Sequence, residues 1–141
     1  MRRRKKILYE FGDVDKRNNR ITEKVVVEGL GGSEKINALI DTGAQRSLID
    51  LKLASKIGAK LTGNINRVGG LEQDSDKYEV EIGVLLSNRK DRFLNSENVK
   101  INLILTLWPN LNKRIGYPLL LGMDFWLNAE KKNLRFSLNL E

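Results

Sequence analysis

The stretch that decides the fold is Ala38-Leu39-Ile40-Asp41-Thr42-Gly43-Ala44. It places a carboxylate at the end of an apolar run, followed by a small hydroxyl residue and a glycine. Glycine lets the backbone turn sharply and brings its N–H toward the carboxylate. The aspartate is therefore either a hydrogen-bonding turn residue or a carboxylate presented for chemistry. By itself the triplet favours the ordinary turn.

The composition narrows the chemistry that this carboxylate can perform. The 141 residues include no cysteine and no histidine. Disulfides, thiol nucleophiles, Cys-based or His-ligated metal sites and Ser-His-Asp catalysis are therefore excluded. Catalysis, if present, must rely on carboxylates, lysines, tyrosines or hydroxyl groups, which favours a carboxylate mechanism.

The chain is basic, with a formal net charge of +7. The clustered part of this charge is the run Arg2-Arg3-Arg4-Lys5-Lys6. Such a run attracts nucleic acid or acidic surfaces, but it has no interleaved aromatic residues for base stacking. A lysine-rich surface is the favoured interpretation, and nucleic acid is not expected as a partner. No apolar run approaches the roughly 20 residues of a membrane span, so we expect a cytoplasmic protein without a membrane partner.

Length and patterning predict a single domain over residues 1–141, with residues 1–6 as a flexible basic tail. Short β segments alternate with glycine and asparagine turns. Apolar and polar residues alternate over 78–82, which predicts a strand with one buried and one exposed face. A short helix is predicted between the capping residue Asp50 and Gly58, and a second helix is predicted over residues 124–131. Many closely spaced short strands indicate a mainly β fold, a small closed barrel or sandwich, with one or two short helices.

A second segment downstream matches the first: Leu119-Leu120-Leu121-Gly122-Met123-Asp124-Phe125. Together the two segments resemble the signature segments of retropepsin-like aspartic proteases, over roughly residues 35–138. Viral members usually carry an acidic residue at the position of Gln45 and an arginine at that of Met123, and neither is present. The chain resembles cellular or prokaryotic members rather than a clearly viral one. The resemblance implies a small closed β-barrel of the retropepsin type.

The resemblance also implies an aspartic endopeptidase that acts on a peptide or protein substrate. Such an enzyme holds two carboxylates around one water, and the close pair shares one proton. It needs no cofactor and no metal. Since the chain carries one such aspartate, the enzyme would be a homodimer with the two loops meeting on the two-fold axis.

Individual roles carry over to matching positions of this chain. Asp41 takes the catalytic role, and Thr42 bonds across to the partner loop. The residues that support the catalytic loop are Thr42, Gly43 and Ala44. The residues that pack beside it are Leu120, Leu121 and Gly122. The segment Val68, Gly69, Gly70 and Leu71 falls where the family has its flap, a mobile hairpin that closes over the substrate.

Two alternatives to the enzyme remain open. One is a retropepsin-fold binding module with weak or no catalysis, which Gln45 and Met123 motivate. The other is a basic nucleic-acid-binding β-barrel. Two arrangements of the terminal strands, predicted at 7–11 and 133–140, are also open: they pair within one subunit or form a sheet shared with the partner.

Overall fold

The computed structural model describes residues 7–11, 13–17, 19–68, 75–86, 99–131 and 134–138. The predicted tail, residues 1–6, lies outside these ranges. The described residues form strands and three short helices. In chain order these are β1 (Ile7–Phe11), β2 (Asp13–Asp15), β3 (Arg20–Glu28), β4 (Ser33–Ile40), β5 (Leu48–Asp50), α1 (Leu51–Ile57), β6 (Lys60–Val68), β7 (Ser75–Leu86), β8 (Val99–Trp108), α2 (Leu111–Ile115), β9 (Leu119–Leu121), α3 (Met123–Glu130) and β10 (Leu134–Leu138).

Six strands close into a barrel in the order β3-β4-β9-β5-β8-β7, and pairing between β3 and β7 completes the ring. Strand β7 has 12 residues, which is long enough to pair with two different strands along the same edge. Its second half pairs with β3 and its first half with β6. The first half of β7 and the second half of β6, which pair with each other, thus extend past the point of closure. The predicted mainly β fold with a small closed barrel is confirmed.

The barrel interior is filled by alternate residues of the strands, as expected when one face of each strand is buried. Val27 of β3, Val84 of β7 and Ile101 of β8 are all completely buried. The pattern predicted over 78–82 holds for Val80 and Ile82, which are buried. Tyr78 is 57% exposed because its part of β7 pairs with β6 beyond the barrel.

Strand β9 lies between β4 and β5, the two strands that flank the Asp41 turn. It runs parallel to β4 and antiparallel to β5, so that Leu120 is the register partner of both Leu39 and Leu48. A three-residue strand with neighbours on both edges and no exposed face suits the continuous apolar run of β9. This arrangement brings the two signature segments side by side, although about 80 residues separate them in the chain.

The helices follow local capping chemistry to different degrees. Asp50 caps the N-terminus of helix α1, since its side chain accepts a hydrogen bond from Lys52 N–H. Gly58, in the left-handed conformation, caps the C-terminus. Both caps are as predicted. Helix α2 was not predicted. It is a single turn of five residues, and Asn110 before it provides no side-chain cap. A helix this short leaves no apolar periodicity in the sequence.

The terminal strands β1 and β10 pair in parallel with each other, within one chain. The single chain thus shows the pairing inside the subunit, and a sheet shared with a partner stays a prediction. Within the described ranges, no helix has the length and apolar character required to cross a membrane.

Candidate active site

Asp41 lies where strand β4 ends and the chain turns. Its backbone N–H donates to Leu121 O at 3.0 Å, so the turn starts in contact with β9. The residue is half-buried. Its Oδ1 accepts a hydrogen bond from Gly43 N–H at 3.0 Å. Among the residues that the structure describes, none donates to its Oδ2. One carboxylate oxygen therefore shapes the turn, and the other has no partner in the described part of the chain.

The Asp-Thr-Gly triplet forms a hydrogen-bonded turn, closed by Ala44 N–H donating to Asp41 O at 3.1 Å. Gly43 permits the close approach of its backbone to the carboxylate. A Cβ at this position would lie 3.2 Å from Asp41 Oδ1, tighter than ordinary contact. Asp41 is therefore a hydrogen-bonding turn residue, and its role in chemistry stays a prediction.

Thr42 occupies the tip of this turn and is exposed. Its hydroxyl has no hydrogen-bond partner among the described residues. Ala44 is half-buried, and its carbonyl accepts from Met123 N–H at 2.8 Å. The turn is therefore hydrogen-bonded to β9 at Asp41 and to α3 at Ala44, and its tip at Thr42 is exposed to solvent.

Gly122, at the junction of β9 and α3, touches the backbone of the loop. A Cβ built there would meet Ala44 O at 2.7 Å and Arg46 O at 2.8 Å. The backbone of Gly122 is extended, with φ −95°, so the glycine is needed for space and not for its dihedral freedom. Leu120 and Leu121 are buried beside the loop. The structure thus brings Leu120, Leu121 and Gly122 together with residues 41–44.

Ser47 and Asp124 complete the contact between the loop and α3, and the sequence interpretation did not predict that these two residues pair. Ser47 Oγ donates to Asp124 Oδ1 at 2.6 Å and accepts from Gly122 N–H at 2.9 Å. Ser47 N–H donates to Asp124 Oδ2 at 3.0 Å. Phe125 N–H donates to Asp124 Oδ1 at 2.8 Å. The available signal was an acidic residue in the first turn of a helix, which is too common to assign a role.

The predicted flap falls on the β6–β7 hairpin. Val68 is the last residue of β6 and pairs with Ser75 of β7. Gly69, Gly70 and Leu71 lie outside the described residues. Nearer the barrel, Ile65 and Tyr78 are register partners, and both side chains are more than half exposed.

An open groove of about 430 Å³ begins where the Asp41 loop ends. Gln45 and Arg46 line it from the loop, and Asp124 and Asn128 line it from α3. The sheet side consists of Glu81, Asn102, Ile104 and Thr106. The groove therefore combines charged and amide side chains with an apolar patch.

The sequence model of the aspartyl protease family matches residues 24–125, which include both signature segments. Among curated proteins, none is significantly similar to the chain. The solved structures to which the chain is similar include the following two. EIAV protease, in a complex with the inhibitor HBY-793, is 16% identical with a TM-score of 0.47, over 84% of this chain and 93% of the viral one. A retropepsin-like aspartic protease from Rickettsia conorii is 19% identical with a TM-score of 0.49, over 84% of this chain and 74% of that one. Since the family's sequence model covers most of its length, the chain belongs to the aspartyl protease family.

Proposed function

We propose that the protein is a homodimeric aspartic endopeptidase in which each subunit supplies one catalytic Asp41. The observation that carries this proposal is the geometry of the Asp41 turn. The carboxylate stands at the end of a barrel strand, on a loop held by β9 and α3, with Oδ2 accepting from no described residue. A carboxylate whose loop is fixed by backbone hydrogen bonds, and which has one oxygen not engaged by the described residues, suits proton transfer to and from a bound water.

The second carboxylate of the reaction comes from a second copy of the chain. Asp124 is the other carboxylate close to the loop, but both of its oxygens accept hydrogen bonds from Ser47. Asp50 is likewise engaged, with Lys52 N–H and Asn112 N–H. Neither is available to form a dyad with Asp41, whereas the exposed loop can meet its own copy across a two-fold axis.

In the dimer, the two Asp41 carboxylates share one proton and hold one water between them. The ionised carboxylate takes a proton from the water, which attacks the peptide carbonyl carbon. The protonated carboxylate donates to the carbonyl oxygen, which gives a tetrahedral diol. The carboxylate that took the proton from water then gives it to the amide nitrogen, while the other carboxylate takes a proton from the diol. The C–N bond breaks to release a carboxylic acid and an amine, and the pair again holds one proton. No covalent enzyme intermediate and no cofactor takes part.

Thr42 and Ala44 suit the two-fold site. The exposed Thr42 hydroxyl is positioned at the loop tip to hydrogen-bond across to the partner loop. The small side chain of Ala44 leaves room for an extended peptide. The peptide would lie between the loops and the β6–β7 hairpin, with its side chains in alternating pockets. Val68, Gly69, Gly70 and Leu71 would close over it, and the exposed Ile65 and Tyr78 supply apolar surface on the same hairpin.

The test compares the wild-type protein with Asp41→Asn on denatured casein, from acidic to neutral pH. Asparagine keeps the shape of the side chain and its acceptor for Gly43 N–H, so the turn is retained while the proton chemistry is removed. We expect cleavage by the wild type and none by the variant, with equal thermal stability. A wild type that binds casein peptides but cuts none would overturn the enzyme in favour of the binding module. Salt-dependent binding of RNA or DNA without proteolysis would instead support the nucleic-acid-binding barrel.

A further inference from the structure

The loop that carries Asp41 is fastened to the β9–α3 junction by two kinds of hydrogen bond. The first kind is between main-chain groups: Asp41 N–H to Leu121 O, Met123 N–H to Ala44 O, and Asp124 N–H to Gln45 O. These bonds do not depend on side-chain identity. They fix the path of the loop, but the last of them is long, at 3.3 Å.

The second kind depends on two side chains, Ser47 and Asp124, which we call the clasp. The Ser47 hydroxyl is both a donor and an acceptor, because it donates to Asp124 and accepts from Gly122 N–H. The Asp124 carboxylate accepts two hydrogen bonds from Ser47, one from the backbone N–H and one from the Oγ–H. Ser47 is completely buried. Hydrogen bonds to an ionised carboxylate are short and roughly twice as strong as neutral ones.

We propose that Ser47 and Asp124 are positioning residues for Asp41, because their clasp fixes how deeply the catalytic loop sits against the β9–α3 junction. This inference rests on the proposed function, since it concerns the geometry of the same reaction. Neither residue touches the reacting atoms. Both act through Gly122, which lies in direct contact with the loop backbone at Ala44 and Arg46.

The clasp has a consequence for a two-fold site that it would not have in a single-chain one. Each loop contributes one carboxylate, so a displacement of the loop within each subunit alters the distance between the two Asp41 side chains twice over. A misplacement on the order of 1 Å costs about a hundredfold in rate when reacting groups must be aligned. Loss of the clasp should therefore lower kcat more than it lowers the binding of an extended peptide.

A purely structural role is the competing explanation. Asp124 lies in the first turn of α3, where an acidic residue stabilises a helix. Asp50 offers a matched control. Like the half-buried Asp124, the buried Asp50 stands at the start of a helix and accepts hydrogen bonds from two other residues, but it lies at the opposite end of β5 from Ser47. Its bonds therefore stabilise the fold without holding the catalytic loop.

The experiment measures kcat and KM on a fluorogenic peptide taken from a casein cleavage site. The variants are Ser47→Ala, Asp124→Ala, the double variant and the control Asp50→Ala, each assayed well below its melting temperature and at concentrations where it is dimeric. We expect kcat to fall about tenfold or more in both clasp variants, with KM changed much less. The double variant should lose little more than either single variant, because the two side chains act as one unit. Asp124→Asn, which keeps one acceptor oxygen, should recover part of the lost kcat.

Three results would overturn the inference. The clasp variants could keep the wild-type kcat, the control Asp50→Ala could lose kcat to the same extent, or the losses of the single variants could add in the double variant. Each of these results leaves the proposed function standing, since the wild type still cleaves the peptide. A wild type that cleaves no casein is a different outcome, in which the proposed function fails and the positioning role fails with it.

Discussion

Gly122→Ala is the substitution that most directly probes the packing of the Asp41 loop. The added methyl group would lie 2.7 Å from Ala44 O, 2.8 Å from Arg46 O and 2.9 Å from Arg46 C, whereas ordinary contact begins at 3.4 Å. All three atoms belong to the backbone, so no flexible side chain can move aside. The loop must shift by about 0.7 Å relative to β9, the difference between 2.7 and 3.4 Å.

Two magnitudes follow from this shift. Overpacking of a close contact costs about 1–3 kcal/mol of unfolding free energy, which lowers Tm by about 3–12 °C for a domain of this size. Catalysis should suffer more, since a shift near 1 Å costs about a hundredfold in rate. We therefore expect kcat to fall about 10- to 100-fold in protein that is still folded and dimeric.

The assay pairs kcat on a casein-derived peptide with a thermal melt, and the chain offers two matched glycines. A Cβ at Gly29 would overlap the carbonyl oxygen of Ile57 in a hairpin–helix contact away from the loop, so Gly29→Ala should lose similar stability but keep kcat. A Cβ at Gly31 meets Ile57 O at 3.4 Å, so Gly31→Ala should be near neutral. The reasoning is refuted if Gly122→Ala keeps the wild-type kcat, or if Gly29→Ala loses kcat equally.

Three further predictions concern stability. Phe125→Ala should cost about 3–5 kcal/mol in urea unfolding, because Phe125 is completely buried in the main core; a cost below about 1 kcal/mol would contradict that packing. Asp50→Ala should cost about 0.5–2 kcal/mol in the same assay by removing the cap of α1, and an unchanged midpoint would argue against the cap. Glu28→Gln breaks an ion pair with Lys100 whose side chains are 42% and 47% exposed; it should cost less than about 1 kcal/mol, and less still in high salt, whereas a large, salt-independent loss would be inconsistent with a surface pair.

The parts of the fold that follow from local chemistry were predictable from the sequence. Asp50 and Gly58 have strong preferences for the two ends of a helix, and they bound α1 as expected. The turn at Asp41 was also predictable from its glycine, whereas the packing of Gly122 beside that turn was expected only from the resemblance to the family's signature segments. The flap at Gly69 and Gly70 stays a prediction, since these residues lie outside the described ranges.

Features that depend on contacts distant in the chain were not predictable. Ser47 and Asp124 are 77 residues apart, and neither has a local pattern that indicates its partner. The exposure of Tyr78 depends on the position along β7 at which its pairing partner changes from β6 to β3, and the closure of the barrel sets that position. The second catalytic carboxylate of the proposed dimer could not be placed either, because it would belong to another copy of the chain.

The central claim is that one active site needs Asp41 from two subunits, and a subunit-mixing experiment tests it most directly. Wild type and Asp41→Asn are mixed at fixed total concentration, exchanged by dissociation and reassociation, and assayed on casein. If mixed dimers are inactive, an equal mixture retains about a quarter of the activity of the pure wild type, and activity follows the square of the wild-type fraction. A linear dependence, with about half of the activity in the equal mixture, would mean that each subunit works alone and would contradict the account.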